Sequence, residues 1–224
     1  MAEIVFISDK NRERYLRIIT PFGNLLDKIG VHPNILTVSG LILSAAAGIL
    51  YGSGSFFWAA WVVVLAGICD TLDGQLARQS HKHSTFGAFF DSTLDRYSDL
   101  FLYMGLAYHF AGGRSIVLHP ESVTGGYASP WTVFIIILAI VGSFMVSYTR
   151  ARAEALGIEC NVGLMQRPER IVLLIIGSLL GSIPNIGPLI LKFSILILAV
   201  SSNVTAIHRI VYVRNQILRE NQAR

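Results

Sequence analysis

The sequence predicts an all-α fold, a polytopic membrane protein with six transmembrane helices behind an N-terminal amphipathic juxtamembrane helix. Three observations carry that expectation. Hydrophobic residues make up 53% of the 224-residue chain and charged residues only 14%, at a mean hydropathy of +0.56, a balance foreign to ordinary soluble domains. Apolar runs long enough to cross the ~30 Å hydrocarbon core recur along most of the chain. With a cytoplasmic N-terminus, the 18 Lys and Arg residues all fall at the cytoplasmic face except Arg114 and Lys192, which is the asymmetry that orients helical membrane proteins. Both termini are therefore expected inside, in an integral protein of the cell (inner) membrane.

The elements follow in order. Residues 1–28 are polar and lack the apolar core and small-residue cleavage site of a secretory signal. Between residues 12 and 29 basic and apolar side chains alternate with helical spacing, interrupted by Pro21 and Gly23; this segment is expected to lie on the lipid surface with its cations among anionic head groups. Pro33-Asn34 is a helix-start signal for the first span, 35–53. The second and third spans, 56–77 and 86–110, are joined by a short polar stretch, which predicts antiparallel neighbours. The stretch 111–130 holds Gly112, Gly113, Pro120, Gly125, Gly126 and Pro130 and reads as an external loop. Spans 131–154, 170–182 and 189–212 complete the set, the fifth being short. The organisation is a cytoplasmic segment 1–33, one compact membrane domain 34–213 and a cytoplasmic tail 214–224. Cys69 and Cys160 have no metal-type spacing and are not expected to form a disulfide. The net charge of +4 belongs to the membrane-facing basic side, so no nucleic-acid partner is implied.

Four aspartates stand where apolar residues should be. An ionised carboxylate in the bilayer core costs about 2.5–3.5 kcal/mol on the most lenient scale, so four together need cationic compensation. Asp70 and Asp73 share one face of the second span and Asp91 and Asp95 one face of the third, because residues three or four apart in a helix point the same way. The basic-residue count puts all four near the cytoplasmic ends of their helices. Oxygen ligands in that number suit Mg²⁺ or Mn²⁺ rather than zinc. Gly74 follows Asp73 and Gly87 stands one turn before Asp91, as a ligand pressed on the backbone would require. Arg78, two turns past Asp70, supplies a guanidinium for a bridging phosphate. Loop residues His81 and His83 are read as solvated, and Asp99 and Arg96 as structural.

The run Asp70-x-x-Asp73-Gly74-x-x-Ala77-Arg78, eight residues, then Gly87-x-x-x-Asp91-x-x-x-Asp95 resembles the signature of the CDP-alcohol phosphatidyltransferases, and the resemblance extends to the six-helix layout. It implies transfer of a phosphatidyl group from a CDP-lipid such as CDP-diacylglycerol to an alcohol, with CMP leaving. It further implies two divalent ions per site held by Asp70, Asp73, Asp91 and Asp95, with Asp95 as the general base. Gly74, Ala77, Arg78 and Gly87 would hold the nucleotide, with Asn34 and Thr37 lining the cytidine. Members of the family commonly pair as homodimers.

The acceptor is read from the cytoplasmic ends of the last three spans. Arg150 and Arg152, two residues apart, are expected not both to avoid the bundle interior, and Arg167 and Arg170 flank Pro168 at a helix start whose positive dipole end favours anions. Several guanidiniums at one mouth point to a phosphorylated polyol. Within the family the Arg150-Ala151-Arg152-Ala153-Glu154 and Arg167-Pro168-Glu169-Arg170 runs look like the prokaryotic phosphatidylinositol phosphate synthases, which implies inositol 1-phosphate gripped by Arg150, Arg152, Arg170 and Arg209, with glycerol 3-phosphate as the alternative acceptor. A divalent-cation transporter using the carboxylates for permeation, and a noncatalytic lipid-binding scaffold, are the readings from other classes. The first would carry flux without CMP release, and the second has no use for a base.

Overall fold

The computed structural model describes residues 9–79, 84–113 and 128–222. Among them the regular structure is entirely helical: α1 (Asp9–Ile29), α2 (Pro33–Gly52), α3 (Phe56–Gln79), α4 (Thr85–Phe110), α5 (Pro130–Glu154), α6 (Arg167–Gly181) and α7 (Gly187–Gln222). These helices fall into two compact units, α1–α4 within Ile7–Ser129 and α5–α7 within Pro130–Arg224. The expected histidines at 81 and 83 and most of the expected external loop lie outside the described residues.

Among the described residues four helices are long and apolar enough to cross a bilayer, over Pro33–Gly52, Phe56–Arg78, Pro130–Glu154 and Gly187–Gln222. The 26-residue α4 has the length but carries Asp91, Asp95, Arg96 and Asp99. At 15 residues, α6 spans roughly 22 Å, short of the hydrocarbon thickness. The opposite holds for α7, which runs on as helix to Gln222 through the expected tail. Side chains such as Ile42, Ile49, Trp58, Trp61, Trp131, Phe134, Leu189 and Phe193 are exposed, an arrangement that suits lipid and not water.

In the first unit, α2 is the element that the others share. Pro33 occupies its first turn, where a missing N–H costs nothing, and His32 Nδ1 caps it by accepting from the Asn34 N–H at 3.3 Å. α2 packs closely against both α3 and α4, while α3 and α4 meet through side chains, Asp70 with Asp91 and Asp95 and Phe56 edge-on to His109 at 4.9 Å between ring centroids. The two aspartate helices are thus neighbours at their side chains, while the close backbone approaches of each are to α2. Small residues explain α2's double role, since backbones approach closely only where Cβ atoms are absent. Gly48 meets the Phe101 carbonyl and Gly105 meets the Gly48 carbonyl, each so close that a Cβ would overlap it. On the other side, Gly40 rests against Ala66 and Cys69. Gly105→Ala is therefore expected to wedge α4 off α2 and destabilise the unit by about 1–3 kcal/mol, read as a lower melting temperature in detergent; an unchanged transition would show that the two helices do not pack at this distance.

Pro21 and Gly23 do not break α1, which is helical throughout Asp9–Ile29. A proline removes one intrahelical donor without obliging the chain to leave the helix when neighbouring contacts hold it. α1 packs against α3, with Ile19 buried and Phe22, Leu25 and Ile29 exposed along one stripe.

In the second unit α7 plays the shared part, packing against α5 and α6. A Cβ on Gly142 of α5 would come within 2.9 Å of Ser202 Cβ, and one on Gly177 of α6 within 2.5 Å of Ser194 Cβ. Asn203 Nδ2 of α7 donates to the Leu138 carbonyl of α5 at 3.0 Å as well as to Ala199 O in its own helix at 2.8 Å. The connection 155–166 lies over α7, where Gly163 at φ +113 stands against Thr205 and the Met165 N–H donates to Thr205 Oγ1 at 3.2 Å.

Candidate metal centre and arginine cluster

Asp70 of α3 and Asp91 and Asp95 of α4 each place a carboxylate oxygen within 4.8 Å of the others. Asp73 completes the group: it interacts electrostatically with Asp91 and Asp70 and lies against the Thr37 side chain. Only 5% of Asp73 is exposed, and its Oδ2 is buried with no hydrogen-bond partner. The helical spacing foreseen from sequence brings the acids together from two helices that both pack on α2. At such separations two carboxylates repel by about 3–4 kcal/mol per pair even at an effective dielectric of ~20. A concentration of hard oxygen donors under that repulsion fits a divalent cation of the Mg²⁺ or Mn²⁺ kind.

The first turn of α2 forms part of the surroundings of these acids. Thr37 reaches Asp73 and also donates to Pro33 O at 3.3 Å. Asn34 Oδ1 lies 3.9 Å from the position a Gly87 Cβ would take. Gly87 opens α4, where its N–H donates to the capping Ser84 Oγ at 2.9 Å. Such helix N-termini attract anions. On α3, Arg78 folds back over Gly74, its Nη1 3.6 Å from where a Cβ would stand, and Ala77 is half-buried. Thr37 thus lies against Asp73 and Asn34 beside Gly87, while Gly74, Ala77, Arg78 and Gly87 are within five residues of an aspartate along their own helices. The part played by Thr37 against Asp73 was not foreseen; the Pro33-Asn34-x-x-Thr37 spacing, which turns Thr37 to the face of the helix start, was the available signal.

The arginines belong to the second unit. Arg170 and Arg209 are each only 2% exposed. Arg209 donates from Nη1 to Val146 O of α5 at 2.6 Å and from Nε to Val162 O of the 155–166 connection at 2.8 Å. Arg170 Nη1 donates to Met165 O at 3.3 Å. Arg209 interacts electrostatically with Arg150, Arg170 and Glu154, so three of the expected cations converge. Arg167 is half-buried at the start of α6. The expectation that Arg150 and Arg152 cannot both avoid the interior is corrected, because both are exposed. Ala153 is the residue of that turn facing the core, against Ile158 and Cys160, and Arg150 pairs with Glu154 at 2.8 Å. Burial raises the Cys160 thiol above its ordinary pKa against the opposing pull of Arg209, which makes it an inert packing group at neutral pH. Arg209 as a clamp between two backbone carbonyls had no signal in the sequence.

Comparison with known proteins bears on both clusters. A family profile described as CDP-alcohol phosphatidyltransferase matches residues 30–208. The chain is 38% identical over 197 residues to archaetidylinositol phosphate synthase of Methanothermobacter thermautotrophicus, covering 88% of this chain and 89% of that one. It is 35% identical over 212 residues to phosphatidylinositol phosphate synthase of Streptomyces avermitilis, covering 92% and 81%. The crystal structure of the Mycobacterium tuberculosis phosphatidylinositol phosphate synthase with CDP-DAG bound superposes with a TM-score of 0.73 at 32% identity, over 88% of this chain and 94% of that one. The same enzyme in complex with manganese and citrate gives a TM-score of 0.72 at 31% identity, over 87% and 88%.

Proposed function

Since the chain belongs to the CDP-alcohol phosphatidyltransferase family and is an enzyme of that class, we propose that it moves the phosphatidyl group of a CDP-lipid to inositol 1-phosphate, giving phosphatidylinositol phosphate and CMP. The reading rests most on one observation, the carboxylates of Asp70, Asp91 and Asp95 within 4.8 Å of one another, supported by relatives whose names specify inositol phosphate lipids. Family membership sets aside the transporter and scaffold readings.

Asp70, Asp73, Asp91 and Asp95 would hold two divalent ions, Mg²⁺ or Mn²⁺, which when bound neutralise the donor diphosphate and the departing phosphate. Asn34, Thr37, Gly74, Ala77, Arg78 and Gly87 position the CDP moiety, with the missing Cβ atoms at Gly74 and Gly87 leaving room for it. Asp95 takes the proton of the attacking acceptor hydroxyl. That oxygen bonds to the phosphorus carrying the diacylglycerol, the bridging P–O bond breaks, and CMP leaves with the electron pair. Arg150, Arg152, Arg167, Arg170 and Arg209 bind the phosphate of the acceptor, guanidinium to phosphate being the strong, directional form of that contact.

We further propose six membrane crossings including α4 and α6, with α1 lying on the cytoplasmic surface, the active site and both termini facing the cytoplasm of the inner membrane, and a homodimer in the bilayer. The deciding experiment offers detergent-solubilised protein CDP-diacylglycerol and Mn²⁺ with inositol 1-phosphate, glycerol 3-phosphate, free inositol or serine in parallel, and identifies the lipid by mass. Phosphatidylinositol phosphate with stoichiometric CMP is expected. Product from glycerol 3-phosphate alone would replace the acceptor, and no CMP release with any of them would defeat the reading.

A further inference from the structure

We propose that Gln75 is a positioning residue: by tying α3 to α1 it sets the rotation of the aspartate helix and with it the affinity of the metal centre. The inference rests on the metal reading above. Gln75 is 9% exposed, and its Nε2 donates to Thr20 Oγ1 of α1 at 2.8 Å across 55 residues of chain. The carbonyl end of the same amide is buried with no hydrogen-bond partner. A leucine of similar size would leave nothing unsatisfied there, so packing alone does not account for the amide.

The cytoplasmic end of α3 needs such a tie. The backbones of α3 and α4 make few close approaches, yet Asp70 on one and Asp91 and Asp95 on the other come within 4.8 Å, so repulsion acts between helices whose backbones are not locked to each other. At 100° per residue Gln75 emerges on nearly the opposite side of α3 from Asp70 and Asp73. A bond there controls rotation about the helix axis. Side-chain ends 5–6 Å from that axis move about 1 Å for a turn of about 10°, and octahedral coordination of the Mg²⁺ kind tolerates less.

The test uses full-length protein in detergent, with Mn²⁺ alone as the probe and its binding followed by the electron paramagnetic resonance of the free ion. Gln75→Leu and Thr20→Val are each expected to weaken Mn²⁺ binding about three- to tenfold, at or below the cost of losing a group bonded directly to a ligand. The double variant should bind no more weakly than the worse single, because both remove one interaction. Thr20→Ser, which keeps the hydroxyl, should restore wild-type affinity. CMP release at saturating Mn²⁺ should stay within about twofold of wild type, as expected when geometry is recovered by occupancy. Unchanged Mn²⁺ affinity in the single variants, or losses that multiply in the double, would overturn the role of Gln75. Failure of the wild type itself to bind Mn²⁺ would instead remove the metal reading. Should Gln75→Leu not fold, Thr20→Val on α1 decides alone: a loss of affinity supports the tie and an unchanged value sinks it.

Discussion

Asp95→Asn is expected to lower kcat by about 10²–10⁴-fold, the range a positioned general base contributes, while the donor still binds. Asparagine keeps the shape and one oxygen but cannot accept the proton of the attacking hydroxyl. Asp95 shares its surroundings with Asp70 and Asp91, so a metal-binding loss has to be separated from a chemical one. Titrating Mn²⁺ at saturating substrates does this: a base role leaves the rate low at any metal concentration, whereas a pure ligand role gives a rate that recovers as metal rises. Donor affinity, measured by protection from thermal unfolding with a CDP-lipid, should change little. Near-normal turnover in this variant would remove Asp95 as the base.

Arg209 is the second position where a large effect is expected. Its guanidinium bridges the carbonyls of Val146 and Val162 from a site only 2% exposed. Arg209→Ala would take the donor from the Val162 carbonyl, at about 1–3 kcal/mol, and loosen the 155–166 connection from α7, whereas Val146 O keeps the Thr149 hydroxyl at 3.1 Å. It would also remove one of the proposed phosphate ligands, raising the acceptor KM by about 10–100-fold, the worth of one charge-assisted bond. Arg209→Lys should recover little of either, because one ammonium lacks the planar fork that reaches two carbonyls and an anion together. Arg150→Lys offers the contrast: that side chain is exposed and paired with Glu154, so its charge matters more than its shape and its melting temperature should stay near wild type. Equal stability of wild type and Arg209→Ala would show that the carbonyl clamp contributes nothing.

Much of the centre could be foreseen because it depends on local geometry. Asp70 with Asp73, and Asp91 with Asp95, face together by helical periodicity alone, and the signature around Gly74, Arg78 and Gly87 marked the same residues. Helix ends were also readable, through Pro33 at the start of α2 and Pro168 in the first turn of α6. An error arose where a local rule was stretched into a statement about neighbours. Two arginines two residues apart at a helix end need not send one inward: Arg150 and Arg152 are both exposed, and Ala153 takes the core-facing place.

The residue order alone settles the helical, lipid-suited character of the chain and the pairing of acids within each helix, since these follow from composition and a period of 3.6. Folding in three dimensions had to decide that α2 packs on both acid-bearing helices, that Thr37 meets Asp73, that Arg209 binds two carbonyls and that Gln75 reaches Thr20. Each of those contacts joins residues from different elements. Whether such residues meet depends on how closely whole helices pack, which glycines such as Gly48 and Gly105 govern and no window of neighbouring residues encodes.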